Sequence, residues 1–260
     1  DGNSVGRPLD IIDGSTWAYG ASRLGGSVPL LMTAGSSSTS EQVIALTTAG
    51  LYAWGNNTVL NTANKSGITA GPVSVDGKAD GLPPNVSPDG VAQIFATNGL
   101  LALVTKPDKG GEVWVLVNGV GNALRGDGSG DPAGANIWHR VRTNGSGNPV
   151  LKDVVAVRGQ VANGSSGALM AHTSDGKLHA WGSTPYFGDG SGATPASYAT
   201  PVTLPQEGGA DITPKMIGVT AGNTMFVLSS TGTLYSVGAN TQRQLGQNID
   251  ATTPVNGWGV

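Results

Sequence analysis

One pattern recurs four times along the chain: apolar strand, short turn, apolar strand. The first copy is Val43-Ile44-Ala45-Leu46, the turn Ala49-Gly50, and Leu51-Tyr52-Ala53-Trp54-Gly55. The second is Leu101-Ala102-Leu103-Val104, a charged insert over 106–111, and Glu112-Val113-Trp114-Val115-Leu116. The third is Ala168-Leu169-Met170-Ala171-His172, the turn Asp175-Gly176, and Leu178-His179-Ala180-Trp181-Gly182. The fourth is Met225-Phe226-Val227-Leu228, the turn Thr231-Gly232, and Leu234-Tyr235-Ser236-Val237-Gly238. Gly supplies the positive φ that a tight hairpin demands, and Asp-Gly is among the strongest hairpin signals.

The spacing is regular. Trp54, Leu116, Trp181 and Val237 close the second strands, and each lies nearly the same distance along the chain from the one before. A second marker, Pro before an apolar residue, stands at Pro8-Leu9, Pro72-Val73, Pro201-Val202 and Pro254-Val255, with Arg140-Val141 between them. A pair of small residues, as at Ala34-Gly35 and Ala221-Gly222, precedes the hairpins, and short β-branched runs such as Val154-Val155-Ala156-Val157 lie there too. Each unit therefore offers about four short strands, which is the content of a propeller blade. The expected fold is an all-β propeller of about four blades, each of four short antiparallel strands. It forms one domain with repeats at about 8–71, 72–139, 140–200 and 201–253. The strand over 254–260 is left as a surplus. Segments 13–31 and 76–90, rich in Gly, Pro, Asp and Ser, are expected as loops.

Composition supports an all-β chain. Only three residues are Glu (Glu41, Glu112, Glu207), and charged residues make up 12% of the chain, so the usual surface material of helices is missing. The 42 glycines show no triplet period, which excludes a collagen-like chain. Net charge is −3, and the Lys and Arg residues form no basic run, so neither a nucleic-acid footprint nor a polybasic membrane patch is present. No apolar run approaches the ~20 residues of a spanning helix. There is no cysteine, which excludes disulfides, thiolate metal sites and Cys nucleophiles and suits an exported, bacterial protein. The chain begins at Asp1, as a processed mature chain or a piece of a larger one would.

The frame of apolar strand, Asp-Gly, apolar strand and Trp-Gly resembles the repeat of the regulator of chromosome condensation (RCC) family. So does the tail Gly238-Ala239-Asn240-Thr241-Gln242-Arg243-Gln244-Leu245-Gly246, in which Val237 replaces the family's Trp and Arg243 a Gly. The resemblance runs over about residues 7–255 and implies a β-propeller. It implies no single function. The family holds a nucleotide-exchange factor for a nuclear GTPase, a plant photoreceptor, ubiquitin-ligase scaffolds and secreted bacterial modules. Its usual form is a closed ring of seven blades, whereas four repeats exhaust this chain. A fragment of a longer propeller, a four-bladed ring with a displaced strand, and pairing of the surplus strand with a neighbouring molecule all fit.

Candidate chemistry is sparse. His172 and His179 lie on paired strands, but they stand where ordinary strand residues stand in the other repeats. No Glu or Cys lies nearby to complete a zinc set. Arg125-Gly126-Asp127-Gly128-Ser129-Gly130-Asp131 contains an adhesion-like tripeptide and part of a Ca²⁺-loop pattern; its recurrence as Gly188-Asp189-Gly190-Ser191-Gly192 favours a structural turn. No phosphate loop, nucleophile elbow or carboxylate pair is present, so no enzyme activity and no cofactor are expected. Asn-x-Ser/Thr occurs at Asn56, Asn64, Asn85, Asn144 and Asn163, as composition alone would give. Aromatics outside the strand frame are expected interface anchors. The expected binding residues are Pro185, Tyr186 and Phe187, with Trp138 and Arg243; the expected assembly residues are Pro254, Val255 and Trp258. The leading expectation is a non-catalytic module of an exported or cell-surface protein that binds a protein or a glycan. A subunit polymerising through its terminal strand and a GTPase regulator are the alternatives.

Overall fold

The structure is a computed structural model describing residues 27–36, 41–55, 59–60, 73–75, 78–117, 122–129, 137–162, 166–220, 223–247 and 252–260. The expected strand at Pro8-Leu9 and the sequons at Asn56, Asn64 and Asn163 lie outside them.

Four antiparallel sheets follow one another along the chain. The first holds β1 (Pro29–Ser36), β2 (Glu41–Thr47) and β3 (Gly50–Gly55) in that order. Val73 adds to it, its N–H bonding Leu51 O at 2.8 Å. The second sheet runs β4 (Val91–Thr97), β5 (Leu100–Thr105), β6 (Val113–Val117), β7 (Trp138–Arg140). The third runs β8 (Val154–Ala162), β9 (Ser166–Thr173), β10 (Leu178–Gly182), β11 (Ala196–Val202). A short ribbon of β12 (Gln206–Glu207) and β13 (Ala210–Asp211) leads to the fourth: β14 (Pro214–Val219), β15 (Thr224–Ser229), β16 (Leu234–Gly238), β17 (Val255–Gly259). The expected loop over 13–31 therefore gives way to strand at Pro29. The sequence boundaries at 139/140 and 200/201 fall inside β7 and β11, because the Pro-Val strand pairs with the hairpin before it and not the one after.

Three cores join the four sheets in a row. Ile44, Leu46, Leu51 and Ala53 of the first sheet pack on Ile94, Ala96, Leu101 and Leu103 of the second. The other face of the second sheet, through Leu100, Ala102, Val104, Val113 and Val115, packs on Val157, Leu169, Ala171 and Trp181 of the third. Met170, Leu178 and Ala180 of the third then pack on Met225, Val227, Tyr235 and Val237 of the fourth. Strand β5 is covered on both faces, so it is buried along its whole length and its sequence is a continuous apolar run without alternation. Among the described residues no hydrophobic core joins the fourth sheet to the first. The described sheets form an open arc of four blades.

Side chains latch neighbouring blades at the backbone. The Gln93 amide donates to Val157 O at 3.5 Å and its carbonyl oxygen accepts Val157 N–H at 3.1 Å. Thr33 Oγ1 accepts Ala96 N–H at 3.0 Å, and Thr97 Oγ1 accepts Val161 N–H at 3.3 Å. An outer-strand aromatic adds a further bond across each of the three junctions. Trp138 Nε1 donates to Gly81 O at 2.8 Å, Asn148 Nδ2 donates to Tyr198 Oη at 3.2 Å, and Trp258 Nε1 donates to Thr203 O at 2.6 Å.

Strand β17 is not a surplus. It pairs with β16 through Ser236↔Gly259 and Gly238↔Val255. Its far edge is bridged by the loop after β10, at Asp189↔Gly257, with Gly190 N–H on Asn256 O at 3.2 Å. The connection from Ala239 to Pro254 separates β16 from β17 and is long enough to hide the pairing from a strand-by-strand reading.

Candidate functional site

The antiparallel order puts two kinds of loop at opposite ends of the blades. One end carries the β2–β3, β5–β6, β9–β10 and β15–β16 hairpin turns, together with the connectors between blades. All the described lysines, Lys78, Lys106, Lys109, Lys152, Lys177 and Lys215, lie in those turns and connectors or just inside the strand that follows. Asp80, Asp89, Asp108, Asp153, Asp175 and Glu207 accompany them. The hairpin end is therefore a mixed-charge surface on an otherwise charge-poor chain.

Two depressions flank a ridge at this end between the first two blades. Ser87 to Val91, with a single 3₁₀ turn at Pro88–Gly90, forms a ridge with exposed Asp89 upon it. On one side lies a depression of about 320 Å³ lined by Asn85, Ser87, Lys109, Glu112, Trp114 and Arg140 among others. On the other lies one of about 630 Å³ that includes Leu30, Leu31, Pro88, Asp89, Val91 and Lys106. Lys78 fixes the ridge's approach: its ammonium donates to Pro83 O and Val86 O, both at 2.9 Å. The Asp89 carboxyl is held below its ordinary value, first by the Ser87 hydroxyl and in smaller part by Lys106 and Lys109.

The floor of the smaller depression is a packed ionic pair. Arg140 Nε donates to Glu112 Oε2 at 2.9 Å, and a second guanidinium nitrogen reaches Glu112 Oε1. The guanidinium carbon also lies 5.6 Å from the centroid of the Trp114 ring, so Arg140 covers the indole face. No motif in the sequence announces this grouping. It exists because β7 pairs with β6 and sets Arg140 directly opposite Trp114, although a long loop separates the two strands in the chain. The one available signal was the charged insert at 106–111, where the other hairpins have tight turns.

The residues expected to bind lie elsewhere. Tyr186 and Phe187 are 6% and 8% exposed, and with buried Pro185 they pack into the core between the third and fourth blades. Burial there pushes the Tyr186 phenol upward. Trp138, 6% exposed, and the half-buried Trp258 are staples between blades, so their indoles are committed to backbone carbonyls. Val255 is half-buried within β17, Pro254 is exposed beside it, and Arg243 is exposed in a turn with φ of 56°. The structure does not gather these residues into one surface. Tyr186 and Phe187 do lie in a loop, which folds back into the core, but Trp138 and Trp258, expected outside the strand frame, stand in the outer strands β7 and β17.

The histidines are likewise separated. His172 pairs with Leu178 and His179 with Ala171, so their side chains leave opposite faces of the third sheet. Burial lowers both pKa values below the ordinary 6.5. Arg125 is fully buried, which removes it from any exposed adhesion tripeptide. Burial raises the Asp127 pKa, but hydrogen bonds from His139, at 2.7 Å, and from Ser129 outweigh that and hold it at about 2. The equivalent Asp189 accepts Ser191 N–H at 2.9 Å, as Asp127 accepts that of Ser129. The two Asp-Gly-Ser loops are one structural element used twice, each bridging to the outer strand of the next blade.

Antiparallel sheets of three or four strands packed in series, hairpin turns at one end and interlocking loops at the other, define an RCC1-like β-propeller fold. Solved structures agree. Human WBSCR16 superposes with a TM-score of 0.59 at 15% identity, over 89% of this chain and 52% of its own. Yeast RCC1 (Prp20), solved bound to Kap60, gives 0.58 at 14% identity over 89% and 48%. Prp20p from Saccharomyces cerevisiae, described with its binding to Gsp1p and histones, gives 0.56 at 14% over 89% and 50%. This chain spans about half the length of each. No protein-family model matches the sequence, and no curated protein matches it by sequence.

Proposed function

We propose that this chain is a non-catalytic module that binds a protein partner through its hairpin end, centred on the Ser87 to Val91 ridge. The observation that carries this is the segregation of the described lysines to that end, around a ridge flanked by two depressions. Mixed-sign charge around relief of this size suits recognition of a complementary protein surface more than a small molecule. A glycan is the weaker choice, because the one aromatic face in the smaller depression, Trp114, is already covered by Arg140. A GTPase is one protein of the required kind, and accelerated nucleotide release would assign the module to that regulatory class. We further propose that the module works outside the cytoplasm, on the basis of its lack of cysteine and its low charge. Protease accessibility on intact source cells tests the location; complete protection would overturn it.

Affinity capture with the wild-type chain and with the double variant Asp89→Lys, Lys109→Glu tests the binding surface. Both side chains are exposed, so the variant retains the fold. The expected result is a partner retained by the wild type and by Arg243→Ala but lost from the double variant. Equal retention by the double variant would refute the ridge.

A further inference from the structure

The connector from β7 to β8 carries a loop whose two arms are clamped and whose tip is not. Arg142 bridges to Val150, and Thr143 N–H donates to Pro149 O at 2.8 Å. The Arg142 guanidinium donates to Asn148 O at 3.0 Å. The arms are also pinned to the third blade, where Thr143 bridges to Ala199 and Asn148 Nδ2 donates to Tyr198 Oη. Between the arms, Asn144, Gly145, Ser146 and Gly147 are all exposed. Asn148 N–H donates to Gly145 O at 2.8 Å. Among the described residues, neither the Asn144 side-chain amide nor the Gly145 N–H has a hydrogen-bond partner.

The dipeptide Asn-Gly occurs twice more among the described residues, and both copies are held. Asn98-Gly99 is the half-buried turn closed by the pair Thr97↔Leu100. Asn256-Gly257 is half-buried within β17, where Asn256 O accepts Gly190 N–H and Gly257 bridges to Asp189.

An Asn-Gly step has a reaction of its own. The Gly nitrogen loses its proton and attacks the Asn side-chain carbonyl carbon. The bond from that carbon to the amide nitrogen breaks, and ammonia leaves. Water then opens the resulting succinimide at either carbonyl, which gives aspartate or isoaspartate. Ring closure needs a side chain that can swing over the backbone and a following N–H that no hydrogen bond holds. Glycine favours it, since no Cβ crowds the ring and the backbone turns freely.

We propose that Asn144 is a site of spontaneous deamidation in the folded protein, favoured over Asn98 and Asn256 because its loop tip leaves the reacting groups unbonded. The product puts a carboxylate at the hairpin end, two residues from the exposed Arg142. The co-reactant is water, so the reaction does not depend on what that end binds. The Asn144 side chain makes none of the bonds that clamp the loop, so the modified chain keeps its fold.

Incubation in mildly alkaline water enriched in heavy oxygen, followed by proteolysis and mass spectrometry, reads the reaction residue by residue. In urea the three steps should react at similar rates. In the native chain Asn144 should stay close to its unfolded rate, whereas Asn98 and Asn256 should slow by about tenfold or more, because they await local opening. Gly145→Ala is tolerated by the fold: Gly145 has no left-handed φ, and an added methyl meets nothing nearer than Thr143 Oγ1 at 3.7 Å. That variant should keep the wild-type thermal transition and slow the reaction at Asn144 several-fold. Native protection of Asn144 as strong as that of Asn256 would overturn the proposal. So would native rates at Asn98 or Asn256 equal to that at Asn144, or an unaltered rate in Gly145→Ala.

Discussion

Gly182 closes the third hairpin strand with φ of 127°, and Gly55 and Gly238 repeat this at 111° and 115° in the equivalent positions. A methyl group at Gly182 would overlap Gly167 O and come within 3.0 Å of Ala168 Cα. Both obstacles are backbone of the paired strand β9, so no rotamer change relieves them. Gly182→Ala should lose about 1–3 kcal/mol from the unfavourable φ and about 1–3 kcal/mol more from overpacking against that strand. Gly190→Ala is the matched control: its φ is 86° and nothing lies within 4 Å of the added methyl. It should lose only the backbone part, about 1–3 kcal/mol. Urea unfolding followed by circular dichroism gives both values, and a shared m-value would show that the unfolded state is unchanged. Gly182→Ala should therefore unfold at a lower midpoint than Gly190→Ala. Equal midpoints would refute it, because the strand contact would then contribute nothing.

Other consequences are open to the same kind of check. Gly188→Ala, which would collide with the Trp258 ring, should displace that indole and shift tryptophan emission to the red, with faster proteolysis at β17. Gln93→Leu removes both bonds to Val157; the carbonyl keeps the Arg158 guanidinium at 2.7 Å, but the buried N–H is left unpaired, which should cost about 1–3 kcal/mol and speed hydrogen exchange at the Val157 amide. His172 and His179 have folded pKa values below 6.5, so the unfolded chain binds more protons beneath that pH. Their contribution is fully present above pH 6.5 and is lost as pH falls through the folded values. Replacing His179 with Gln should flatten that part of the stability profile, and an unchanged slope would count against its burial.

How far the sequence reaches can be judged from particular residues. Asp175-Gly176 and Thr231-Gly232 make the expected turns, with φ of 84° and 98° at the glycines, because a tight hairpin is set by a few adjacent residues. The repeat period yields the blades for a related reason: each blade repeats one local strand order. The loop over 125–129 and its counterpart over 188–191 were also legible as a structural element, since the same residues recur at the same place.

The tertiary structure decided what those elements face. Tyr186, Phe187, Trp138 and Trp258 sit outside the strand frame in sequence, and only the packing of one blade on the next shows that they fill a core or bond a neighbour's carbonyl. Strand β17 became the fourth blade's own outer strand for the same reason, since Val255 and Gly259 find their partners Gly238 and Ser236 only across the whole intervening loop. The Arg140–Trp114–Glu112 grouping is likewise a product of which strand lies beside which. Turn chemistry and period act over short stretches of chain and are written there. Burial depends on a surface contributed by the neighbouring blade, a full repeat away along the chain, and only the folded arrangement assigns it.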